Sequence, residues 1–262
     1  MAATRSAYSP PVSPANGITE KGRRRSNRDR VREAALELFN AHGYASVTTN
    51  HIADHINISP GNLYYHFRNK EQIVESIYRD AVNYSKQSSD LPSGGRIGPD
   101  DLAYYFVNSM DTLWRYRSVF GDIVEIGRRN PIIAAEHREF MRWSTGRLYE
   151  IFELLGASGN LRKGVASREV LQVVSANTAL VITGWWHYLH AELEPAEVTV
   201  GVVRNGAVRA YFLIDPYLKP KFAAAARAAI AAQQHEQSVP AKRAARKKGG
   251  TQSTSRRSTA LQ

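Results

Sequence analysis

The sequence predicts an all-α fold, in which a small N-terminal unit of three helices is joined by a long fourth helix to a larger helical domain. Apolar residues recur every three or four positions along most of residues 27–216, and no β-type alternation persists. Gly and Pro divide these stretches into segments of helical length. A Gly- and Pro-rich loop at 91–99, within a linker at 87–99, marks the domain boundary.

Composition narrows the class of protein before any motif is considered. The chain has 262 residues, and no apolar run approaches the roughly 20 residues that span a membrane. Its first residues are polar and rich in Pro, unlike a signal peptide. It has no Cys, which excludes disulfides and thiolate metal sites and fits a reducing cytoplasm. We therefore expect a cytoplasmic protein without a membrane partner.

The net charge of +11 comes from the two ends of the chain. Residues 1–26 hold five Lys or Arg against one Glu, a net +4, and residues 219–262 hold ten against one, a net +9, which leaves the body near −2. We expect 1–26 to be a disordered basic arm and 219–262 to be an Ala-rich, then basic, low-complexity tail. Both would add salt-sensitive attraction to nucleic acid.

Helices can be placed in order along the chain. The first domain, residues 27–86, begins with a helix over 27–42 that Ser26 or Asn27 can cap and Gly43 can end. Asn69 can cap a long fourth helix. The second domain, residues 100–218, contains helical candidates at 100–117, 119–129, 131–156, 167–192 and 196–214. An Ala-rich helical segment extends past residue 220.

Residues 48–67 have the pattern of a helix-turn-helix. Ile52 and Ile56 give the first short helix an apolar stripe. Asn57 suits the turn, because Asn is the non-glycine residue that best tolerates a left-handed backbone. Ser59 can cap the second helix, and Pro60 suits its first position, where no intrahelical N–H is needed.

The outer face of that second helix is suited to contact with another molecule. Leu63 and Phe67, four positions apart, face the interior. The opposite face carries Gly61, Asn62, Tyr64 and Tyr65. A capped helix of this kind, backed by a neighbouring helix, would enter the major groove of double-stranded DNA.

Residues 28–86 resemble the N-terminal DNA-binding domain of the TetR family of bacterial transcriptional regulators. The resemblance lies in RVREAALELFNAHGY of helix one, the TT-x-x-IA opening at 48–53, the turn INISPG, LYYHF at 63–67 and N-K-E at 69–71. Beyond this domain the chain resembles the family only in its all-α arrangement and length. The resemblance implies a homodimeric repressor that a small-molecule effector releases from a palindromic operator.

The resemblance also implies which residues contact DNA. The leading edge of the second helix would read base edges, and Asn62 has the donor and acceptor that suit adenine. Side chains at the start of the first helix of the motif, near residue 48, would hold phosphates, as would those at the end of its second helix, which we call the recognition helix. The full set is Thr48, Thr49, Asn50, Ser59, Pro60, Gly61, Asn62, Tyr64, Tyr65, His66 and Lys70.

The second domain would supply the dimer interface and the effector pocket. The segment 171–193 is apolar over too much of its circumference for a one-sided surface helix, and the family places its dimer interface on the last two long helices. The dimer candidates are Val174, Thr178, Val181, Val202 and Phe212.

The effector pocket is expected among the aromatic residues of this domain. Aromatic residues suit a small, mostly apolar effector, although an aromatic stripe at helical spacing is more often part of the core. The pocket candidates are Tyr105, Trp114, Phe120, Phe140, Trp143, Tyr149 and Trp185.

Other functions were weighed against this one. An effector-independent architectural protein could use the basic ends to bind any duplex, and it would lack a high specificity ratio. An all-α enzyme is disfavoured, because no Gly-rich phosphate loop or nucleophile motif is present. His51 and His55 have a spacing that can bind a metal, but no third ligand accompanies them, so we expect no metal and no cofactor.

Overall fold

The computed structural model describes residues 26–90, 95–164 and 167–236. Nearly all of the basic arm predicted at 1–26, and the part of the predicted 219–262 tail beyond residue 236, lie outside the described residues. The described residues form α-helices, two 3₁₀ helices and one isolated β-bridge, so the all-α prediction is confirmed. The α-helices are α1 Asn27–His42, α2 Thr49–His55, α3 Pro60–His66, α4 Lys70–Ser88, α5 Pro99–Arg115, α6 Arg117–Gly121, α7 Ile123–Arg129, α8 Pro131–Ala157, α9 Arg168–Glu192, α10 Val200–Phe212 and α11 Pro220–Glu236. None of these helices is both long and apolar enough to cross a membrane.

The head, α1–α4, is fixed by its caps and by one core. The side chains of Ser26, Ser59 and Asn69 accept hydrogen bonds from backbone N–H groups at the starts of α1, α3 and α4. Asn57 takes the left-handed conformation in the turn, with φ 53°. Apolar side chains from all four helices are buried together, and Leu63 is fully buried on the inner side of α3. The short helices α2 and α3 are therefore held by packing and not by their own length.

The body, α5–α11, has a second core enclosed mainly by α5, α9, α10 and α11, with α8 packed along α9. Gly206 permits a close approach of helices, because a Cβ there would lie 2.5 Å from the sulfur of Met110 and from Cδ1 of Trp185. The body continues past residue 218, where the sequence placed its end. Phe222, Ala226 and other residues of α11 are buried in this core, so Ala-rich α11 belongs to the folded domain and not to a tail.

The segment expected as one helix at 119–129 is divided at Asp122 into α6 and α7. Both belong to the junction between head and body. Tyr116, Val119, Ile123 and other side chains of this segment are buried in the core of the head, although they follow α5 in the chain. Head and body are therefore joined by shared packing and not only by the connection after α4.

Polar contacts reinforce the junction on two sides. The Asn40 amide on α1 donates to the Arg115 carbonyl at 2.9 Å and accepts from the Ser118 backbone N–H at 3.1 Å. On α4, Arg79 forms an ion pair with Glu136 of α8 at 3.0 Å. A movement of α6 would therefore strain its hydrogen bonds to α1, and a movement of the start of α8 would strain its ion pair with α4.

Candidate nucleic-acid interface and internal cavity

The outer face of α3 and the start of α2 form the recognition surface, which we define as Thr48, Asn50, Pro60, Gly61, Asn62, Tyr64 and Tyr65. All seven are exposed. Tyr65 has the largest exposed fraction among the exposed large hydrophobic side chains of the described residues, 85%. The amide oxygen of Asn62 lies 3.4 Å from the side-chain nitrogen of Asn27, a long hydrogen bond that orients the amide. The surface is preformed, because buried side chains hold the opposite face of α3.

Thr48 and Thr49 are positioned by local hydrogen bonds. Thr48 caps α2 by accepting from the His51 backbone N–H at 3.2 Å, and the His51 ring lies 3.4 Å from the Thr48 N–H. The Thr49 hydroxyl lies 3.1 Å from the Tyr64 hydroxyl, which links the start of α2 to α3. A phosphate at this helix start would meet both free N–H groups and hydroxyls.

Three predicted contact residues have other partners in the protein. The Ser59 hydroxyl accepts from the Asn62 backbone N–H as the cap of α3, and the His66 ring packs edge-on against Tyr65. The Lys70 ammonium donates to the carbonyls of Tyr44 and Val47, each at 2.9 Å.

The Lys70 side chain therefore points into the loop between α1 and α2. A third, longer contact to the Ala45 carbonyl uses its last proton, and the ammonium lies 4.3 Å above the Tyr44 ring. Burial lowers the pKa of the Lys70 amine, while the Glu71 carboxylate acts in the opposite direction. The expected phosphate contact fits this geometry poorly, because the three ammonium protons already have acceptors within the head.

Two further cations beside α3 escaped the sequence prediction. The Arg28 guanidinium lies 4.8 Å from the centre of the Phe67 ring, and Arg68 is exposed directly after α3. The Arg28 guanidinium is one of the charges that lower the pKa of the neighbouring Asp29 carboxyl. Their proximity in space to α3, and not a spacing in the sequence, makes them candidates for additional phosphate contacts.

A cavity of about 190 Å³, partly open to solvent and called the internal cavity below, lies between α4, α5, α6, α7, α8 and α9. Four of the seven predicted pocket residues line it, namely Tyr105, Phe120, Phe140 and Trp143. Its polar lining was not predicted: it consists of Ser85, Ser88, Ser89, Asn108, Ser109, Thr112, His137, Ser144, Thr183 and His187.

Trp114, Tyr149 and Trp185 do not line the cavity. Trp114 lies in an open groove at the junction, beneath the Arg117 guanidinium at 4.3 Å. Tyr149 packs on the outside of the body core. Trp185 is buried against Gly206 and donates its indole N–H to the Val203 carbonyl at 2.9 Å. Trp185 is therefore a core residue, whereas Trp114 and Tyr149 are partly buried against the body core.

The predicted dimer residues divide between the two sides of α9 and α10. Val174 and Thr178 are buried within their own protomer, so their side chains cannot reach a second chain. Val181 and Val202 are half-buried, and Phe212 is exposed. The exposed apolar side of α9 carries Val173, Leu180 and Tyr188, which the sequence prediction missed.

His51 and His55, the pair with metal-binding spacing, acquire no third ligand among the described residues. His55 pairs with Glu37 at 3.4 Å, and nowhere among the described residues do three or more His, Cys, Asp or Glu side chains group as a metal site requires. The cavity lining likewise holds no carboxylate. The recognition surface and the neutral cavity are both suited to binding.

Comparisons with known proteins agree with this architecture. A family model described as "TetR: Bacterial transcriptional repressor" matches residues 82–226, and one described as "Bacterial regulatory proteins, tetR family" matches residues 31–77. The HTH-type transcriptional regulator UidR of Escherichia coli K12 is 25% identical over 150 residues, which cover 56% of this chain and 76% of that protein.

Solved structures give the same result. The crystal structure of a TetR-family transcriptional regulator from Marinobacter aquaeolei VT8 is similar with a TM-score of 0.70 and 31% identity, over 81% of this chain and 98% of that one. The structure of a SmeT–triclosan complex shares the fold, with a TM-score of 0.50 and 18% identity over 75% and 93% of the two chains. The family model spans more than half of the sequence. The chain therefore belongs to the TetR family of bacterial transcriptional regulators.

Proposed function

We propose that this protein is a homodimeric, sequence-specific repressor that binds a palindromic operator and leaves it when a small molecule occupies the internal cavity. The observation that carries the proposal is the recognition surface, a polar face on a capped helix that is fully backed by the core of the head. Such a repressor would act in the cytoplasm, on chromosomal DNA. We assign no catalytic role to any residue.

Within each half-site, base reading and phosphate contact would fall to different residues. Asn62 would pair with an adenine in the major groove, and Gly61 would let the backbone approach the base edges. Thr48, Thr49 and Asn50 would meet a phosphate at the start of α2. Tyr65, which reaches furthest into solvent, would contact the groove or the backbone beside it.

The second protomer would pack on a dimer face made of Val173, Leu180 and Tyr188 of α9 and Phe212 of α10. The α9 residues are spaced by seven and eight positions, so they project from one side of the helix. All four are exposed, and Leu180 has an exposed fraction of 66%. Large apolar side chains that are grouped and exposed mark an association surface. Two protomers joined here would present two recognition helices to half-sites about one DNA turn apart.

The cavity is placed where an occupant can act on the head. His137 lines the cavity and shares a hydrogen bond of 3.2 Å with the Tyr78 hydroxyl on α4. Phe120 lines it too, and packs against both cores. Coupling would require two states that differ in the spacing of the heads, with the effector favouring the state that does not fit the operator.

Footprinting with the purified full chain, on the DNA flanking its own gene and on a random-sequence library, tests the proposal. We expect a protected palindrome that survives an excess of non-specific duplex. Tyr65→Ala should weaken operator binding by about tenfold or more, and it should leave the unfolding midpoint unchanged because the side chain is exposed. Tyr65→Phe separates the hydroxyl from the ring. Equal binding to all sequences would refute the proposal and favour an architectural role.

A further inference from the structure

The internal cavity contains no formal charge among its lining residues: Lys, Arg, Asp and Glu are all missing from the set. Burial lowers the pKa of the His137 imidazole, which keeps that ring neutral at pH 7. Two cations, Lys86 and Arg147, lie outside the lining with their charged groups 5.7 Å from the centre of the Trp143 ring. An ionised ligand would lose its water here without a counter-charge in the lining itself, which is costly.

Most of the hydroxyl groups in the lining have already used their protons. Each donates to the carbonyl four residues earlier in its own helix, at distances between 2.6 and 2.9 Å. The five are Ser85 and Ser88 of α4, Ser109 and Thr112 of α5, and Thr183 of α9. A hydroxyl that donates to its helix still has lone pairs. These five positions therefore offer acceptors, and a ligand that accepts a proton from one of them would have to break its helix bond.

Asn108 provides the complementary group. It lies on α5 between the hydroxyls, and its amide has no hydrogen-bond partner among the described residues, although the side chain is half-buried. A side-chain amide has both a donor and an acceptor, so it suits a ligand hydroxyl group, which also donates and accepts. An accessible amide without a partner in the protein is available to a polar occupant.

One side of the cavity is a ladder of flat rings. Phe120 and Phe140 are 6.1 Å apart between ring centroids and inclined by 25°, and Phe140 and Trp143 are 5.7 Å apart and inclined by 21°. Near-parallel rings of this kind favour a planar apolar body stacked or wedged against them. A cavity of about 190 Å³ admits roughly one or two fused rings, since a cavity of about 150 Å³ accepts benzene.

We propose that the effector is an uncharged molecule with a planar apolar body and at least one hydroxyl group, whose proton is accepted by a lining hydroxyl or by the Asn108 amide oxygen. This inference rests on the proposed function for its regulatory meaning. It goes beyond that function in fixing charge, shape and hydrogen-bond polarity. It also excludes an anionic effector.

The test is calorimetry of the full-length protein at pH 7 with four probes that share one ring system. They are 2-naphthol, 2-methoxynaphthalene, naphthalene and 2-naphthoate. We expect 2-naphthol to bind at least about tenfold more tightly than 2-methoxynaphthalene, which keeps the acceptor and loses the proton. We expect 2-naphthoate to bind more weakly than 2-naphthol. Equal affinities for 2-naphthol and its methyl ether, or tightest binding of 2-naphthoate, would overturn the proposal.

Variants locate the selection within the cavity. Asn108→Ala should lower the affinity for 2-naphthol about tenfold and leave naphthalene unchanged. Its control is Asn83→Ala, on the exposed side of α4. Ser109→Ala/Thr183→Val removes acceptors from two facing helices at nearly constant volume, and it should have the same selective effect. If neither variant separates the two probes, the polar lining does not select the ligand and the proposal fails.

Operator release is measured separately, so that the two proposals can fail independently. If the protein binds no specific DNA, the proposed function fails, while calorimetry still decides the ligand class of the cavity. If it binds an operator and 2-naphthol neither binds nor releases it, the ligand class fails and the DNA-binding function stands. Binding in the expected order without release would support the ligand class and overturn its role as an effector.

Discussion

The recognition surface consists of residues close together in the sequence and exposed on a preformed helix, whereas the internal cavity is assembled from helices separated by up to a hundred residues. The first site can be changed without disturbing the core behind it. The second is part of the packing that holds head and body together, because His137 and Phe120 each contact both. Substitutions in the two regions should therefore differ in how they divide between binding and stability.

The largest effect is expected on the dimer face. Although this face lies in the body, its residues are exposed, so substitutions there should weaken binding without unfolding the protein, as on the recognition surface. Leu180→Glu places a charge on an exposed apolar face, so we expect the folded monomer to keep its helix content. The charge would be buried on association, and dimerisation should weaken by about a hundredfold or more. Light scattering and operator titration measure both effects.

Ile132→Glu is the matched control, because Ile132 is also an exposed apolar side chain but lies on α8. It should remain dimeric and bind the operator as the wild type does. A Leu180→Glu protein that stays dimeric at the same concentration would move the dimer interface elsewhere.

The helices and the recognition surface could be predicted from the sequence because their signals are local. Ser59, Pro60 and Asn57 act on neighbouring backbone atoms, and Leu63 and Phe67 define the buried side of α3. These features depend little on what packs at a distance. The same holds for the starts of α1, α4 and α8, where a cap residue or Pro precedes the helix.

The two faces of α9 could not be told apart in this way. Val173 and Val174 are neighbours of the same residue type, yet one is exposed and the other buried, because α9 is apolar around most of its circumference. Only the positions of α8 and α10 decide which side is internal. The cavity lining has the same difficulty: Ser and Thr on several helices converge only once the helices are packed.

Lys70 tests the contrast from the opposite direction, because the sequence assigned it to the DNA contacts and its ammonium bonds carbonyls within the head. Lys70→Met keeps the side-chain stem and leaves the Tyr44 and Val47 carbonyls without their donor. We expect the free energy of unfolding to fall by about 2 kcal/mol, measured by urea denaturation. The exposed Lys163→Met is the control. Full stability combined with weakened DNA binding would restore Lys70 to the phosphate contacts.

Substitution of Gly61 should change stability and operator binding in opposite directions. A Cβ there would meet only the Ser59 hydroxyl at 3.9 Å, so the protein itself does not require glycine. Gly61→Ala should raise the free energy of unfolding by about 0.5 kcal/mol, since alanine restricts the unfolded chain. It should weaken operator binding if the α3 backbone lies close to the bases.

Gly146→Ala is the matched control for Gly61, because Gly146 is also helical and exposed with open space around it. It should give a similar stabilisation and unchanged operator affinity. Equal operator binding by Gly61→Ala and wild type would exclude a close approach at this position.

The smallest expected effect concerns His137, which belongs to the cavity and to the junction. Burial lowers the pKa of its imidazole below the usual value of 6.5, so near that pH the unfolded chain binds more protons than the folded one. Stability then rises with pH in the window from the lowered pKa up to 6.5 and is lost as the pH falls through it. His137→Gln keeps a group that can bond the Tyr78 hydroxyl but does not titrate. Urea denaturation at pH 7.5 and 5.5 should show a larger loss in the wild type than in this variant, because the carboxylates contribute equally to both. Equal losses in the two proteins would mean that His137 is hydrated in the folded protein. The cavity would then be open to water, and it would not differ in this respect from the exposed recognition surface.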